Sequence, residues 1–168
     1  MAARRRPLPT VPDPDAPRLP AAVTSAAGFL VNEVAALFRG AFELALGQEK
    51  LRPRQYLLLL VLRDEGAMSQ QALGARLGMD RTTTMQFVNA LEERGIAQRH
   101  DDPQDKRVYV VSLTAMGRRL TATLEGRITK VERELLAPVP ASAREGFLDQ
   151  LRAIMAQSGK RGGEARDG

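Results

Sequence analysis

The 168 residues contain no cysteine, no tryptophan and a single histidine, His100. Without cysteine there can be no disulfide, no zinc–thiolate site and no thiol redox switch. One histidine would need several carboxylate partners to hold a metal, so neither a metal site nor a cofactor is expected. A phosphate-cradling glycine loop and a recognisable nucleophile–base pair are also missing, which argues against an enzyme. No apolar run approaches the roughly 20 residues needed to span a bilayer. The longest, Tyr56 to Leu62, is about two helical turns and reads as part of a buried helix. The N-terminus carries arginines without a following apolar stretch, so it does not read as a signal peptide. A cytoplasmic protein without membrane attachment is expected.

What is present fits a soluble globular domain with a proper core: 43% hydrophobic and 27% charged residues. The net charge of +5 hints at a polyanionic partner. The hint is weak locally. Between Arg81 and Arg107, five basic residues (81, 94, 99, 106, 107) face five acidic ones (92, 93, 101, 102, 105). Any argument for DNA must therefore rest on pattern rather than on bulk basicity.

Residues 1–20 hold six of the ten prolines together with Arg4, Arg5 and Arg6. Such a segment cannot propagate a helix or build a core and reads as a disordered arm. From Ala22 to Leu46, Leu30, Val34, Leu37, Ala41 and Leu44 recur at helical spacing, widened by Phe29, Phe38 and Phe42. Gly47 suits the stop, and Pro53 the first turn of a second helix running to about Glu65. Ser69 is a natural N-cap for a short helix with Ala72, Leu73 and Leu77 inward, ended by Gly78. Asp80 can cap the next, from Arg81 to Arg94, stopped by Gly95. A short helix, a glycine-containing turn and a second helix have helix-turn-helix spacing. In that second helix Thr84, Phe87, Val88 and Leu91 should be buried, and Thr82, Met85, Gln86, Asn89 and Glu93 should lie on the outer arc.

Ile96 to Asp101 and Arg107 to Leu113 can extend as two strands of a wing, joined by the turn chemistry of Asp102-Pro103-Gln104-Asp105. Thr114 then caps a long helix with Leu120, Leu124, Ile128, Val131 and Leu135 on one face, broken by Pro138 and Pro140. Ser142-Ala143-Arg144-Glu145 reads as a capping box for a last helix with Phe147, Leu151, Ile154 and Met155 inward. The glycine-rich, charged residues 158–168 should fray as a disordered tail. The expected fold is mainly α with a small β wing, a winged helix-turn-helix flanked by N- and C-terminal helices.

The run Asp102-Pro-Gln-Asp-Lys-Arg-Val-Tyr-Val-Val-Ser-Leu-Thr114, followed by Gly117, resembles the wing signature of the MarR family of bacterial transcriptional regulators. Met79-Asp80-Arg81-Thr82-Thr83-Thr84 and Leu91-Glu-Glu-Arg-Gly95 resemble that family's recognition helix and its stop. The likeness covers roughly residues 25 to 157. It implies a homodimer in which residues 21–48 and 114–157 are dimerisation helices and 53–113 form a DNA-binding lobe. Pairing would cover the apolar faces at both ends of the chain, which one copy would leave exposed. The implied partner is double-stranded DNA carrying a pseudo-palindromic operator. The implied role is sequence-specific transcriptional regulation, most simply repression.

Within that reading Thr82, Thr83, Met85, Gln86 and Asn89 face the major groove, where amides and hydroxyls read base edges. Met85-Gln86 stands where many relatives carry Thr-Arg, so a common guanine reader is missing. Arg107, oriented by Asp105, would reach the minor groove from the wing tip. Lys106 and Arg99 would meet phosphates. Ser69 caps a helix whose free N–H groups attract anions, and Arg76 and Arg81 would clamp the backbone. The resemblance also implies a cleft for a small aromatic or anionic effector, with Phe38, Phe42, Arg54 and Tyr56 on the segments that would line it. Plain core or dimer packing is the alternative for the two phenylalanines. The alternative for the whole chain is a winged-helix protein-interaction or dimerisation module without specific DNA binding.

Overall fold

A computed structural model describes residues 19–101 and 109–164, with side chains to residue 157. The chain divides after Val131 into two compact units. The first opens with two helices, α1 (Ala21–Thr24) and α2 (Ala27–Gly47), where one was expected. The break has a local cause. The Thr24 and Ser25 hydroxyls donate to the carbonyls of Ala21 (3.3 Å) and Ala22 (3.2 Å), a bond that competes with the helical ladder. Ala26 is accordingly extended, with φ −81° and ψ 102°.

On α2 only Ala41 and Leu46 are buried. Leu30, Val34, Leu37 and Leu44, the expected apolar face, remain 42–50% exposed in a single copy. Helix α3 (Pro53–Asp64) begins with Pro53 in its first turn, where the missing N–H costs nothing. The buried Gln55 reaches back to accept the Arg52 N–H at 3.0 Å. Tyr56, Leu58, Leu59 and Leu62 of α3 form the centre of the core. They are joined there by Leu73, Val88, Leu91, Ile96, Val111, Leu113, Leu124 and Ile128.

After a two-residue strand β1 (Met68–Ser69) come α4 (Gln70–Arg76) and α5 (Arg81–Glu93), then strands β2 (Ala97–Asp101) and β3 (Tyr109–Leu113). Gly78 and Gly95 end the two helices with φ 59° and 65°, the left-handed backbone that glycine adopts without penalty. The sheet order is β1-β3-β2, all antiparallel. Ala97 pairs with Leu113 and Asp101 with Tyr109. The wing thus has three strands rather than two. The third, Met68 paired with Val111 and Ser69 with Val110, is too short to show a period of its own.

Helix α6 (Ala115–Leu135) starts beneath Thr114, whose hydroxyl accepts the Gly117 N–H (3.0 Å) and donates to the Gly95 carbonyl (2.6 Å). Residue 117 must be glycine. A Cβ there would overlap the Ile96 carbonyl oxygen, so the close approach of α6 to the start of the wing depends on its absence.

The second unit holds the end of α6, a 3-10 turn at Ala141–Ala143 and α7 (Arg144–Glu164). Three expectations change here. Ser142 lies inside the 3-10 turn, and Pro140 stands at the cap position with no side-chain cap bond, so the capping box does not form. Ile154 and Met155 are 62% and 73% exposed rather than inward, because this unit offers α7 only a helix end and a turn to pack on. The helix also continues through Glu164, past the residue where a tail was expected. Glycine inside a helix costs about 1 kcal/mol relative to alanine but does not by itself end it. Among the described residues no helix is long and apolar enough to cross a membrane.

Candidate nucleic-acid interface

Helix α5 is built to present one face. Thr84, Val88 and Leu91 are buried and Phe87 half-buried, while Thr82, Met85, Gln86, Asn89 and Glu93 are exposed. At its start the Asp80 carboxylate accepts both the Thr83 N–H (2.8 Å) and the Thr83 hydroxyl (2.6 Å). Those two bonds, the hydroxyl first, hold the Asp80 carboxyl below its ordinary pKa. Thr83, expected to face the major groove, turns its hydroxyl to the cap, and its side chain is half-buried. Arg81 and Thr82 remain exposed at this end.

Ser69 caps α4 as expected, its hydroxyl accepting the Ala72 N–H at 3.2 Å. Arg76, at the last turn of α4, is 61% exposed but paired with Glu65 at 2.9 Å. Part of its charge is therefore met within the protein. Between α4 and α5 lies a cavity of about 580 Å³, lined by residues that include Gln70, Gln71, Arg81 and Met85.

Arg99 departs most from expectation. It was expected as an exposed phosphate contact, yet its side chain is only 24% exposed and fully engaged. From β2 its guanidinium forms an ion pair with Glu92, donates to the Asn89 Oδ1 at 2.6 Å and to the Gln70 Oε1 at 3.3 Å. Glu92 also accepts the Arg99 backbone N–H at 3.0 Å. One side chain thus ties α4, α5 and the wing together. Gln70 and Glu92 escaped the sequence reading because nothing local marks them. The partners are 29 and 7 residues from Arg99 and meet only once α4, α5 and β2 have packed together.

The wing-tip residues Asp105, Lys106 and Arg107 lie outside the described residues. On the wing, His100 Nε2 lies 3.0 Å from the Ser112 hydroxyl across the β2–β3 pair. Among the described residues no group of three or more His, Cys, Asp or Glu side chains could hold a metal ion.

The four residues placed near an effector cleft fall into different environments. Phe38 and Phe42 stack edge to face, centroids 6.0 Å apart, and both are half-buried. Phe42 packs against the core, and Tyr56 is a buried member of it. Arg54 is exposed on α3. The loop after α2 is tied to both neighbours: Glu49 accepts Arg94 at its carbonyl (2.7 Å), while its carboxylate pairs with Arg127 of α6 (3.1 Å).

A model of the MarR family matches residues 51–109, the segment from α3 to the start of β3. The HTH-type transcriptional regulator TtmR of Methylorubrum extorquens is 33% identical over 106 residues, 63% of this chain and 54% of that one. The HTH-type transcriptional repressor NicR of Pseudomonas putida is 26% identical over 133 residues, 79% and 84% of the two chains. Among solved structures, CouR from Rhodococcus jostii RHA1 bound to p-coumaroyl-CoA superposes with a TM-score of 0.71. Its sequence identity is 29%, and the match covers 80% of this chain and 95% of that one.

Proposed function

The chain belongs to the MarR family of winged helix-turn-helix transcriptional regulators, not to a family of enzymes, and we propose that it is a cytoplasmic, homodimeric repressor that reads a pseudo-palindromic operator. The observation that carries this reading is the outer arc of α5. Thr82, Met85, Gln86 and Asn89 are exposed on one face of a capped helix, and that face is polar without being strongly charged. Such a surface suits a base edge better than bulk water. Arg81 at the helix start, and Lys106 and Arg107 of the wing signature, supply phosphate and minor-groove contacts.

Residues 21–48 and 114–157 join the two copies, which accounts for the apolar face of α2 exposed in one. Residues 53–113 form the lobe that meets DNA. A small aromatic or anionic ligand relieves repression. CouR, at 29% identity, was solved with an aromatic acyl-CoA bound, and NicR is named a repressor.

Gel-shift titration against the DNA upstream of the chain's own gene tests the proposal. Binding should be sequence-dependent, weaken with salt, and fall with Arg107→Ala. Equal, salt-insensitive binding to all sequences would contradict it. The pairing of Arg76 and Arg99 with acids favours one other reading, an interaction module without specific DNA binding, and that reading predicts this contradictory result.

A further inference from the structure

We propose that Arg99 is a positioning residue that aims the Asn89 amide. Asn89 then reads hydrogen-bond acceptors on a base edge, foremost the paired N7 and O6 of guanine, and loses its usual preference for adenine, whose N7 acceptor stands beside an amino donor. The inference deepens the proposed function and rests on α5 entering the major groove.

Asparagine ordinarily pairs with adenine by using both ends of its amide at once, the oxygen accepting from N6 and the nitrogen donating to N7. Here the two ends are not equivalent. Arg99 Nη2 lies 2.6 Å from the outer oxygen of Asn89. A guanidinium has donors only, so the atom facing it must be the amide oxygen, whatever the ambiguity of amide orientation elsewhere. The bond is charge-assisted, about twice as strong as a neutral one, so an adenine amino group competes poorly for that oxygen. The oxygen keeps a second lone pair. Bidentate pairing, however, needs oxygen and nitrogen aimed together at one base, and Arg99 draws the oxygen toward the protein.

Arg99 cannot easily follow Asn89 outward. Its Nη1 is held by Glu92, its Nε by Gln70 and its backbone N–H again by Glu92, so the guanidinium is fixed from α4, α5 and its own strand. Asn89 itself is exposed, and its NH₂ group is the end left to face a ligand. The same network changes the role of the arginine. With its charge met by Glu92, Arg99 acts on the operator through Asn89 rather than through a phosphate.

Selection of bound duplexes from a randomised library, using the full-length wild type, Asn89→Ala and the double variant Arg99→Met/Glu92→Gln, tests this directly. The double variant keeps the local charge balanced and leaves an acceptor for the β2 backbone N–H. Asn89→Ala identifies the base position that Asn89 reads, because preference collapses there alone. At that position the wild type should favour guanine over adenine by roughly fivefold or more. The double variant should shift the preference toward adenine, an outcome that a merely structural role for Arg99 would not produce.

Adenine selected by the wild type at that position overturns the inference. So does an Asn89→Ala variant that changes no position, or a folded double variant with unchanged preference. If the double variant fails to fold, the wild type and Asn89→Ala still decide, since Asn89 is exposed and its truncation leaves the core intact. A wild type that enriches no sequence overturns the proposed function itself, and this inference with it.

Discussion

Asp80 holds the start of α5 through two bonds to one residue, the N–H and the hydroxyl of Thr83. Its carboxyl is held below its ordinary pKa, so its folded-state pKa lies below the unfolded one. A group of that kind stabilises fully above the unfolded pKa and loses its contribution as pH falls through the folded value. Thermal melts should therefore show Asp80→Ala less stable than wild type at neutral pH. The difference should shrink in acid, below about pH 4, as the wild-type carboxyl protonates. A difference that persisted undiminished into strong acid would remove the cap from the account. Caps such as Ser69, Asp80 and Thr114 were legible in the sequence because a cap is a local device, set by residues three or four apart. The engagement of Arg99 was not, since its partners come from α4 and α5 and meet it only through tertiary packing. Nor was the turn of the Thr83 hydroxyl toward Asp80, which depends on a rotamer choice.

At the scale of the elements, the helix-turn-helix separates an exposed cation from one already met by an acid. Arg81 is exposed at the start of α5, whereas Arg76 pairs with Glu65. Each phosphate contact contributes about 0.9 to the slope of log affinity against log salt. Arg81→Ala should lower that slope by about 0.9 for each copy bound, and Arg76→Ala by clearly less. Equal losses for the two variants, measured by fluorescence anisotropy across a salt series, would place both at phosphates. The outer arc of α5 was readable because its period of 3.6 residues fixes which side chains share a face. Strand β1 was not readable, since two residues carry no alternation and only their pairing with Val110 and Val111 makes them a strand. The break between α1 and α2 was missed because residues 21–27 hold neither glycine nor proline, while the hydroxyls of Thr24 and Ser25 act on the backbone alone.

For the whole molecule, the exposed face of α2 is the feature that one copy leaves unexplained. Leu30, Val34, Leu37 and Leu44 are 42–50% exposed on a helix that otherwise packs on α3. Apolar faces of this kind mark an interface between chains, and two-fold pairing is the commonest way to close one. Leu37→Glu should shift the protein from dimer to monomer in analytical ultracentrifugation and weaken operator binding, while the core of the lobe stays folded. A variant that remained dimeric would put the contact elsewhere. The sequence showed this face clearly but not its occupant, because periodicity identifies an apolar stripe and says nothing about what covers it.

The proposed reading of DNA by two such lobes would impose a geometry that footprinting of the wild-type protein on its own upstream DNA measures directly. Two inverted half-sites should be protected, their centres about 10–10.5 base pairs apart or a multiple of that, with protection lost together as salt rises. A single unpaired half-site, or uniform protection without sequence preference, would contradict the account.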